Sequence, residues 1–226
     1  MRNLVYLISG ILIFSTSTAC VSQAEQRTNV VTNPNSPTVT SLNARANQTL
    51  SPSTQLKSRP KKKTIRDEWT QRQIPVKLFG MEGFPFTTYF PENDFVVESG
   101  ASGEGMGVWF YSKASGKKYE PAYVHFFFPA KPPNLEGMRR SVIGKRGLIE
   151  TNQWTVKGRT QNVPYRWAKE RIDFEQRKGN KSFMGTVYIG EYKGKAFQVT
   201  EHFPADYGDG FAPRASIILK ELQVKD

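Results

Sequence analysis

The chain has 226 residues, one cysteine, two histidines and a net charge of +12 with histidine neutral. This length fits one domain of ordinary size with additional segments. A single cysteine excludes an intrachain disulfide framework and every zinc site that needs two thiolates, and we expect no metal and no cofactor. The charge is uneven, because residues 21–63 carry +6 and the much longer segment 64–226 carries +5.

The first residues have the layout of a secretory signal peptide. A cationic start at Arg2 precedes an apolar run over 4–14, and small residues follow at 15–19. This order of charged, apolar and small residues is typical of an export signal. A helix over that run spans about 16 Å, roughly half of a hydrocarbon core, so it is too short to cross a membrane. We therefore predict a signal peptide over residues 1–19 rather than a buried helix of a cytosolic protein.

Cys20 indicates which kind of export signal this is. It closes the sequence Ser-Thr-Ala-Cys, which resembles the lipobox of bacterial lipoproteins, although Ser17 stands where leucine is usual. The resemblance implies that acyl chains such as palmitate are attached at Cys20, which becomes the first residue after cleavage. Ordinary cleavage after Ala19 is the alternative, but it leaves a lone exported thiol, which secreted proteins rarely carry unexplained. Two or more acyl chains would hold the protein firmly at a membrane.

The segment after the signal peptide has the composition of a flexible tether. Residues 26–55 are mostly Ser, Thr, Asn, Gln and Pro, and such a sequence buries too little apolar area to offset its ordering entropy. We predict a tether over 20–63. It ends in a basic cluster of five residues, Lys57, Arg59, Lys61, Lys62 and Lys63. Attraction to anionic lipid headgroups and a solvated charge run are both open, whereas export makes nucleic acid a poor partner for such a cluster.

Strand signals dominate the remaining segment, 64–226, which holds 26 of the 28 aromatic residues and can form one hydrophobic core. Residues 165–176 fit a strand or a helix equally. The predicted strands are two β-rich runs, 85–90 and 94–98, and two hairpins, one pairing 106–111 with 123–128 and the other pairing 183–191 with 196–203.

Two segments have the spacing of amphipathic helices. Apolar residues recur at helical intervals over 135–143 and again over 211–222, where Asp209 is the predicted cap and Pro213 falls in the predicted first turn. Antiparallel hairpins combined with separated helices indicate an α+β fold, in which helices pack on an antiparallel sheet.

The order of these elements resembles the PsbP-like fold over about Pro75 to Val224. The shared features are Phe-Thr-Thr-Tyr-Phe-Pro, an aromatic hairpin, a helix, a second hairpin ending in Phe-Gln-Val-Thr-Glu-His-Phe-Pro, and a terminal helix with Ile-Ile-Leu-Lys. The chain departs from the family after Pro91, where the family commonly has Trp. This superfamily includes extrinsic proteins of the photosynthetic oxygen-evolving complex, many bacterial lipoproteins and a nuclear import factor. The resemblance implies an αβα sandwich that binds proteins and has no enzymatic activity.

Neither histidine is predicted to be catalytic or to bind a metal. His125 alternates with aromatic residues on one strand face, as a half-buried or hydrogen-bonded core residue does. His202 shares a face with Gln198 and Thr200 and is predicted to be exposed. A metal site built from both histidines and Glu201 has no support from their spacing.

No motif indicates an enzyme. The glycine-rich segment 100–107 leads into a strand, whereas a phosphate-binding loop must open a helix, so a flexible turn is predicted there. No Gly-x-Ser-x-Gly elbow occurs, and lipidation of Cys20 removes the cysteine nucleophile. Glu170, Asp173 and Glu175 alternate with basic residues, which favours a charge-paired surface. We predict no catalytic residues.

We predict a partner surface on the first predicted helix and the segment after it. Basic residues lie there close to two tryptophans, and Arg and Trp are favoured at protein interfaces. The alternative is a basic helix face in water. The residues of this surface are Arg139, Arg140, Lys145, Arg146, Trp154 and Trp167.

Together these features favour an exported lipoprotein, anchored to a membrane on its periplasmic or lumenal side, whose domain is a non-enzymatic accessory module of a membrane complex. In a photosynthetic source the resemblance would indicate a photosystem. Two alternatives stay open: an exported envelope hydrolase or ligand-binding protein, and a structural spacer between membrane and wall.

Overall fold

The computed structural model describes residues 59–68 and 70–225, which belong to one compact unit, Gln55–Asp226. The predicted signal peptide, Cys20, Lys57 and most of the predicted tether lie outside the described residues. Within 59–68 and 70–225, no helix is long and apolar enough to cross a membrane.

The described chain has an α+β fold, as predicted. Its helices are Leu135–Ile143 (α1), Leu148–Thr151 (α2) and Gly208–Lys220 (α3), the last preceded by a 3₁₀ turn over Ala205–Tyr207. Its strands are Lys62–Arg66 (β1), Gln73–Phe79 (β2), Phe86–Phe90 (β3), Phe95–Ser102 (β4), Gly105–Ala114 (β5), Lys117–Pro129 (β6), Thr155–Thr160 (β7), Ala168–Lys178 (β8), Lys181–Tyr192 (β9), Lys195–Pro204 (β10) and Gln223–Val224 (β11).

The strands form two antiparallel sheets, whereas the prediction was a single sheet. The seven-stranded sheet has the order β4-β5-β6-β10-β9-β8-β7, and the four-stranded sheet has the order β1-β2-β3-β11. Both predicted hairpins are confirmed. They turn at Ser115-Gly116 and Lys193-Gly194, and all four of these residues have positive φ, which two-residue hairpin turns require. The glycine-rich segment 100–107 is mostly strand, because β4 and β5 pair directly through it.

The two faces of the large sheet are covered differently. On one face, α3 and the small sheet pack down to form the main core, where Phe86 stacks on Phe126 with ring centroids 4.8 Å apart. On the other face, Met138 and Val142 of α1 form a second core with side chains of β8, β9 and β10. Neighbouring residues of β10 divide between the cores, since Ala196 lies in the second and Phe197 in the main core.

The helices confirm the predicted apolar stripes, with two corrections of detail. In α1, the Asn134 side chain accepts a hydrogen bond from the N–H of Gly137 at 2.8 Å and so caps the helix. The helix α3 begins at Gly208, so Asp209 lies in its first turn and is not the cap. Pro213 lies inside α3, not in its first turn as predicted, because the helix starts earlier than the apolar stripe.

The folded domain begins before the boundary predicted at residue 64. Strand β1 starts at Lys62, and Lys62 pairs with Glu92 at 3.3 Å. Arg59 and Lys63 each lie 2.9 Å from the carboxylate of Glu221. Three cations that were assigned to the tether therefore neutralise acids of the domain. The prediction placed them in a tether, either near lipid headgroups or in solvent, because their acidic partners are distant in sequence.

Candidate functional site

The structure does not assemble the predicted partner surface. Trp154 is only 8% exposed and stacks on Phe174 at 3.9 Å in the second core. Trp167 is 9% exposed, lies in the main core on the opposite face of the sheet, and donates its indole N–H to the carbonyl of Leu219 at 3.0 Å. Both tryptophans stabilise the fold, so neither is available as an anchor for a partner.

The basic residues of that predicted surface fall into two groups. Arg139 binds the carboxylate of Glu170, which is fully buried and which Arg159 also binds. Burial alone would raise the pKa of Glu170, but the two guanidinium groups hold that pKa below its usual range. The other group, Arg140, Lys145 and Arg146, is exposed. Their arrangement is that of a basic helix end in water.

The described acids and histidines do not converge. Glu170 lies on the face of β8 that packs under α1, whereas Asp173 lies on the opposite face, paired in register with Thr186. Glu201 likewise faces away from both histidines, and burial raises its pKa to about 7. Within 59–68 and 70–225, no group of three His, Cys, Asp or Glu side chains could hold a metal ion.

His202 is buried, which corrects the prediction that it is exposed. It is 8% exposed, and its Nδ1 lies 2.9 Å from the carbonyl oxygen of Pro121. Its ring stacks between Tyr123 and Phe183, with centroids 5.1 Å from each. The predicted face was right, but β10 is the central strand of the sheet and is covered on both sides. Burial lowers the pKa of His202, so it is neutral at neutral pH.

A row of half-buried rings occupies the part of the second face that lies beyond α1. Its members, here called the aromatic strip, are Trp109 and Tyr111 of β5 and Tyr123, His125 and Phe127 of β6. Among the described elements, none covers these side chains. Trp109 stacks on His125 at 4.1 Å, and Tyr111 meets Tyr123 edge-on at 6.0 Å.

A shallow depression of about 390 Å³ lies at one end of the aromatic strip, lined by Trp109, His125 and Phe127 together with Gly100 and Gly107. Gly107 is required here, because a Cβ at this position would lie 2.6 Å from the indole ring and 3.0 Å from His125 Nε2. The absence of a side chain therefore lets Trp109 lie over the strand and leaves room above it.

Two polar atoms beneath the aromatic strip lack a hydrogen-bond partner among the described residues. They are His125 Nε2 and Thr200 Oγ1, which belong to residues paired in register between β6 and β10. Such unpaired buried groups are rare in folded proteins. Burial lowers the pKa of His125 to about 4, so the imidazole is neutral at neutral pH. His125 is therefore a neutral part of this surface.

Sequence reasoning missed the aromatic strip although its signal was visible. The alternation around His125 was recognised and predicted a half-buried or hydrogen-bonded core residue, but it was not compared with the neighbouring strand. The matching alternation of Trp109 and Tyr111 on the paired strand, read together with it, would have located five rings on one face. Whether a helix covers that face could not be read from the alternation.

The comparisons with known proteins do not indicate a function for this chain. No family model matches the chain, and no curated protein matches it. Among solved structures, a protein of Bacteroides thetaiotaomicron VPI-5482 aligns with 66% of this chain and 48% of its own length, at 12% identity and a TM-score of 0.41. LpqN of Mycobacterium tuberculosis, described as involved in cell envelope biogenesis, aligns with 67% of this chain and 92% of its own, at 10% identity and a TM-score of 0.38.

Proposed function

We propose that this protein is an exported, lipid-anchored accessory module that binds another protein of the same membrane through the aromatic strip and catalyses no reaction. The observation that carries the proposal is the strip itself: five half-buried rings side by side on one face of an antiparallel sheet. Tyr, Trp and Phe are enriched at protein interfaces because they bury a large area at little entropic cost. The depression beside Trp109 offers a hole for one side chain of the partner.

The charges around the aromatic strip favour a partner of defined chemistry. Glu98 is exposed beside Trp109, and Glu104 lines the depression. Lys118 offsets part of this charge, because it pairs with Glu98 at 2.8 Å and lies 4.5 Å over the ring of Tyr111. We therefore propose that the partner presents an apolar side chain with Lys or Arg at the edge that meets these acids.

The attachment to the membrane is part of the proposal. Acylation of Cys20 would anchor the chain, and a tether of roughly 40 residues has a mean reach on the order of 35 Å, which lets the domain meet partners near the bilayer. The resemblance to the PsbP-like fold belongs to the proposal as well, and in a photosynthetic source it would direct the search to photosystem complexes.

Site-specific cross-linking tests the docking surface. The photoreactive residue p-benzoylphenylalanine replaces Phe127 in the full chain, and cells are irradiated before their membranes are solubilised. The matched control carries the same residue at Met184, which is 43% exposed on the opposite face of the sheet. We expect one discrete adduct from position 127 and none from position 184. Equal labelling at the two positions, or no adduct at 127, contradicts the proposal.

The anchor is tested separately, so that the two parts can fail independently. Cells are labelled with a fatty-acid analogue, and the Cys20→Ala variant is compared with the wild type. We expect label and membrane partition in the wild type and loss of both in the variant. A variant that stays at the membrane, beside a wild type that takes up no label, rejects the lipoprotein assignment.

A further inference from the structure

A second recess lies on the other face of the large sheet, where its edge meets the small sheet. The apolar pocket, as we call it, has a volume of about 470 Å³, within the roughly 300–1,000 Å³ range of ligand sites. It opens between the ends of β5, β6 and β10 and the paired ends of β3 and β11. The residues that define it are Met106, Phe128, Tyr192, Lys195, Phe197 and Val224.

The inner walls of the apolar pocket are rigid and aromatic. Phe128 stacks on Phe197 at 4.8 Å and on Phe86 at 5.2 Å, and all three rings are buried. Gly105 has φ +152°, and a Cβ there would lie 2.2 Å from the carbonyl oxygen of Phe128. Only glycine lets the β5 strand approach β6 so closely at this point. The walls are therefore preformed, which lowers the ordering cost of binding an apolar ligand.

The polar groups of the apolar pocket are confined to its rim. Lys195 and Ser102 are exposed and Tyr192 is half-buried, whereas no Asp or Glu lines the pocket. Lys195 has no ion-pair partner among the described residues. An apolar interior beneath a cationic rim is complementary to a ligand with one hydrocarbon chain and one anionic end.

We infer that the apolar pocket binds a long-chain fatty acid, with the acyl chain between Phe128, Phe197 and Met106 and the carboxylate at Lys195. A carboxylate fits a rim whose only charged lining residue is Lys195, because one monoanion neutralises one cation. The acyl chain would fill space that aromatic and aliphatic side chains already shield from water. A lysophospholipid has the same chain with a larger phosphate headgroup, and the experiment separates the two.

Photolabelling tests this inference on the full chain. The protein is reconstituted in phosphatidylcholine nanodiscs and irradiated with palmitic acid that carries a diazirine in its chain, and the adducts are mapped by mass spectrometry. We expect saturable labelling of the peptides that contain Met106, Phe128 and Val224. Ser102→Trp places a bulky ring at the exposed rim and should abolish the labelling. Adducts spread evenly over the domain, or labelling that does not saturate, overturn the inference.

Charge reversal at the rim tests the position of the carboxylate. Lys195→Glu should raise the half-saturating palmitate concentration about 3–10-fold, the effect of losing and reversing one partly exposed ion pair. The matched control is Lys117→Glu, an exposed lysine at the other end of the β5–β6 hairpin, which should change nothing. An equal effect of the two variants rejects the assignment of the carboxylate to Lys195.

Competition identifies the ligand class. Unlabelled palmitate should displace the probe, whereas neutral monopalmitoylglycerol should displace it at least threefold less well. Stronger displacement by lysophosphatidylglycerol than by palmitate overturns the fatty-acid assignment. Cross-linking from position 127 should be unchanged in Lys195→Glu, so a failed pocket and a failed aromatic strip give different results.

Discussion

One face of the seven-stranded sheet has two halves that use the same kind of ring pair in opposite ways. In the half under α1 and α2, Trp154 stacks on Phe174 at 3.9 Å and both rings are buried. In the half formed by β4, β5 and β6, Trp109 stacks on His125 at 4.1 Å and both rings are only half-buried. Ring stacking therefore does not distinguish a covered face of the sheet from an uncovered one. The presence or absence of a covering helix does.

The largest expected difference between the halves is in stability. Trp154→Ala should lower the free energy of unfolding by about 3–5 kcal/mol, because it leaves a cavity beneath α1 and α2. Tyr111→Ser, in the aromatic strip, should cost about 1 kcal/mol or less, since the lost ring is already partly in water. Urea unfolding of the full chain measures both. Similar losses for the two variants would mean that the strip is an ordinary part of the core.

The buried charge under α1 gives the next largest effect. Glu170→Gln leaves Arg139 and Arg159 without their shared carboxylate and should cost about 2–4 kcal/mol. Because the folded-state pKa of Glu170 is lowered, the stability from its ionised form is present above the unfolded-state pKa and is lost as the pH falls.

The control for this prediction is Glu175→Gln, on the same strand. Glu175 is 40% exposed and pairs with Lys157 at 3.1 Å, so its replacement should cost less than about 1 kcal/mol. Equal losses for Glu170→Gln and Glu175→Gln, measured by urea unfolding at pH 7, would show that the ion pairs under α1 stabilise the fold no more than an exposed pair does.

His125 of the aromatic strip should make the stability of the fold depend on pH. Its folded-state pKa of about 4 lies below the ordinary 6.5, so the unfolded chain binds the proton more tightly, and stability is lost as the pH falls from 6.5 to 4. Glu201 acts in the opposite direction, because its raised pKa favours the folded state at low pH.

The contribution of His125 is therefore measured as the difference between the wild type and His125→Phe. The variant should lack about 2 kcal/mol of the loss between pH 6.5 and pH 4. Unfolding midpoints in urea across this range give the comparison. Parallel pH profiles for the two proteins would indicate that His125 titrates normally, as an exposed side chain does.

The smallest effect is expected at the border between the halves, where Thr200 lies between His125 and Val187. Its hydroxyl is buried without a partner among the described residues, so Thr200→Val should leave stability unchanged or raise it by about 0.5–1 kcal/mol. Thr186→Val is the control, because the Thr186 hydroxyl donates to Asp173 at 2.8 Å and its loss should destabilise by about 1 kcal/mol. Thermal unfolding of the full chain resolves the sign.

Local sequence patterns predicted most of the elements. The two hairpins follow from turn residues that accept positive φ, and α1 follows from Asn134 and the spacing of the apolar residues behind it. Strands β1, β2, β7 and β11 and the short helix α2 were missed. The sequence of β7 lacks the alternation of apolar and polar residues that predicts a strand, and nearly all of its residues are exposed. The strands β1 and β2 follow a basic, proline-rich segment, whose composition favoured a tether.

The sequence by itself determined the α+β class, the two hairpins, the helices α1 and α3 and the face on which each residue of the predicted strands lies, because these depend on neighbours a few residues apart. Only the tertiary structure decided which faces are covered. It buried His202, Trp154 and Trp167 and left Trp109 half-exposed, because cover depends on strand order and on where α1 and α3 pack. Tertiary packing also brings Glu221 to Arg59 and Lys63, with which it forms ion pairs. Burial is set by elements that are distant in the chain, so a local sequence pattern does not predict it.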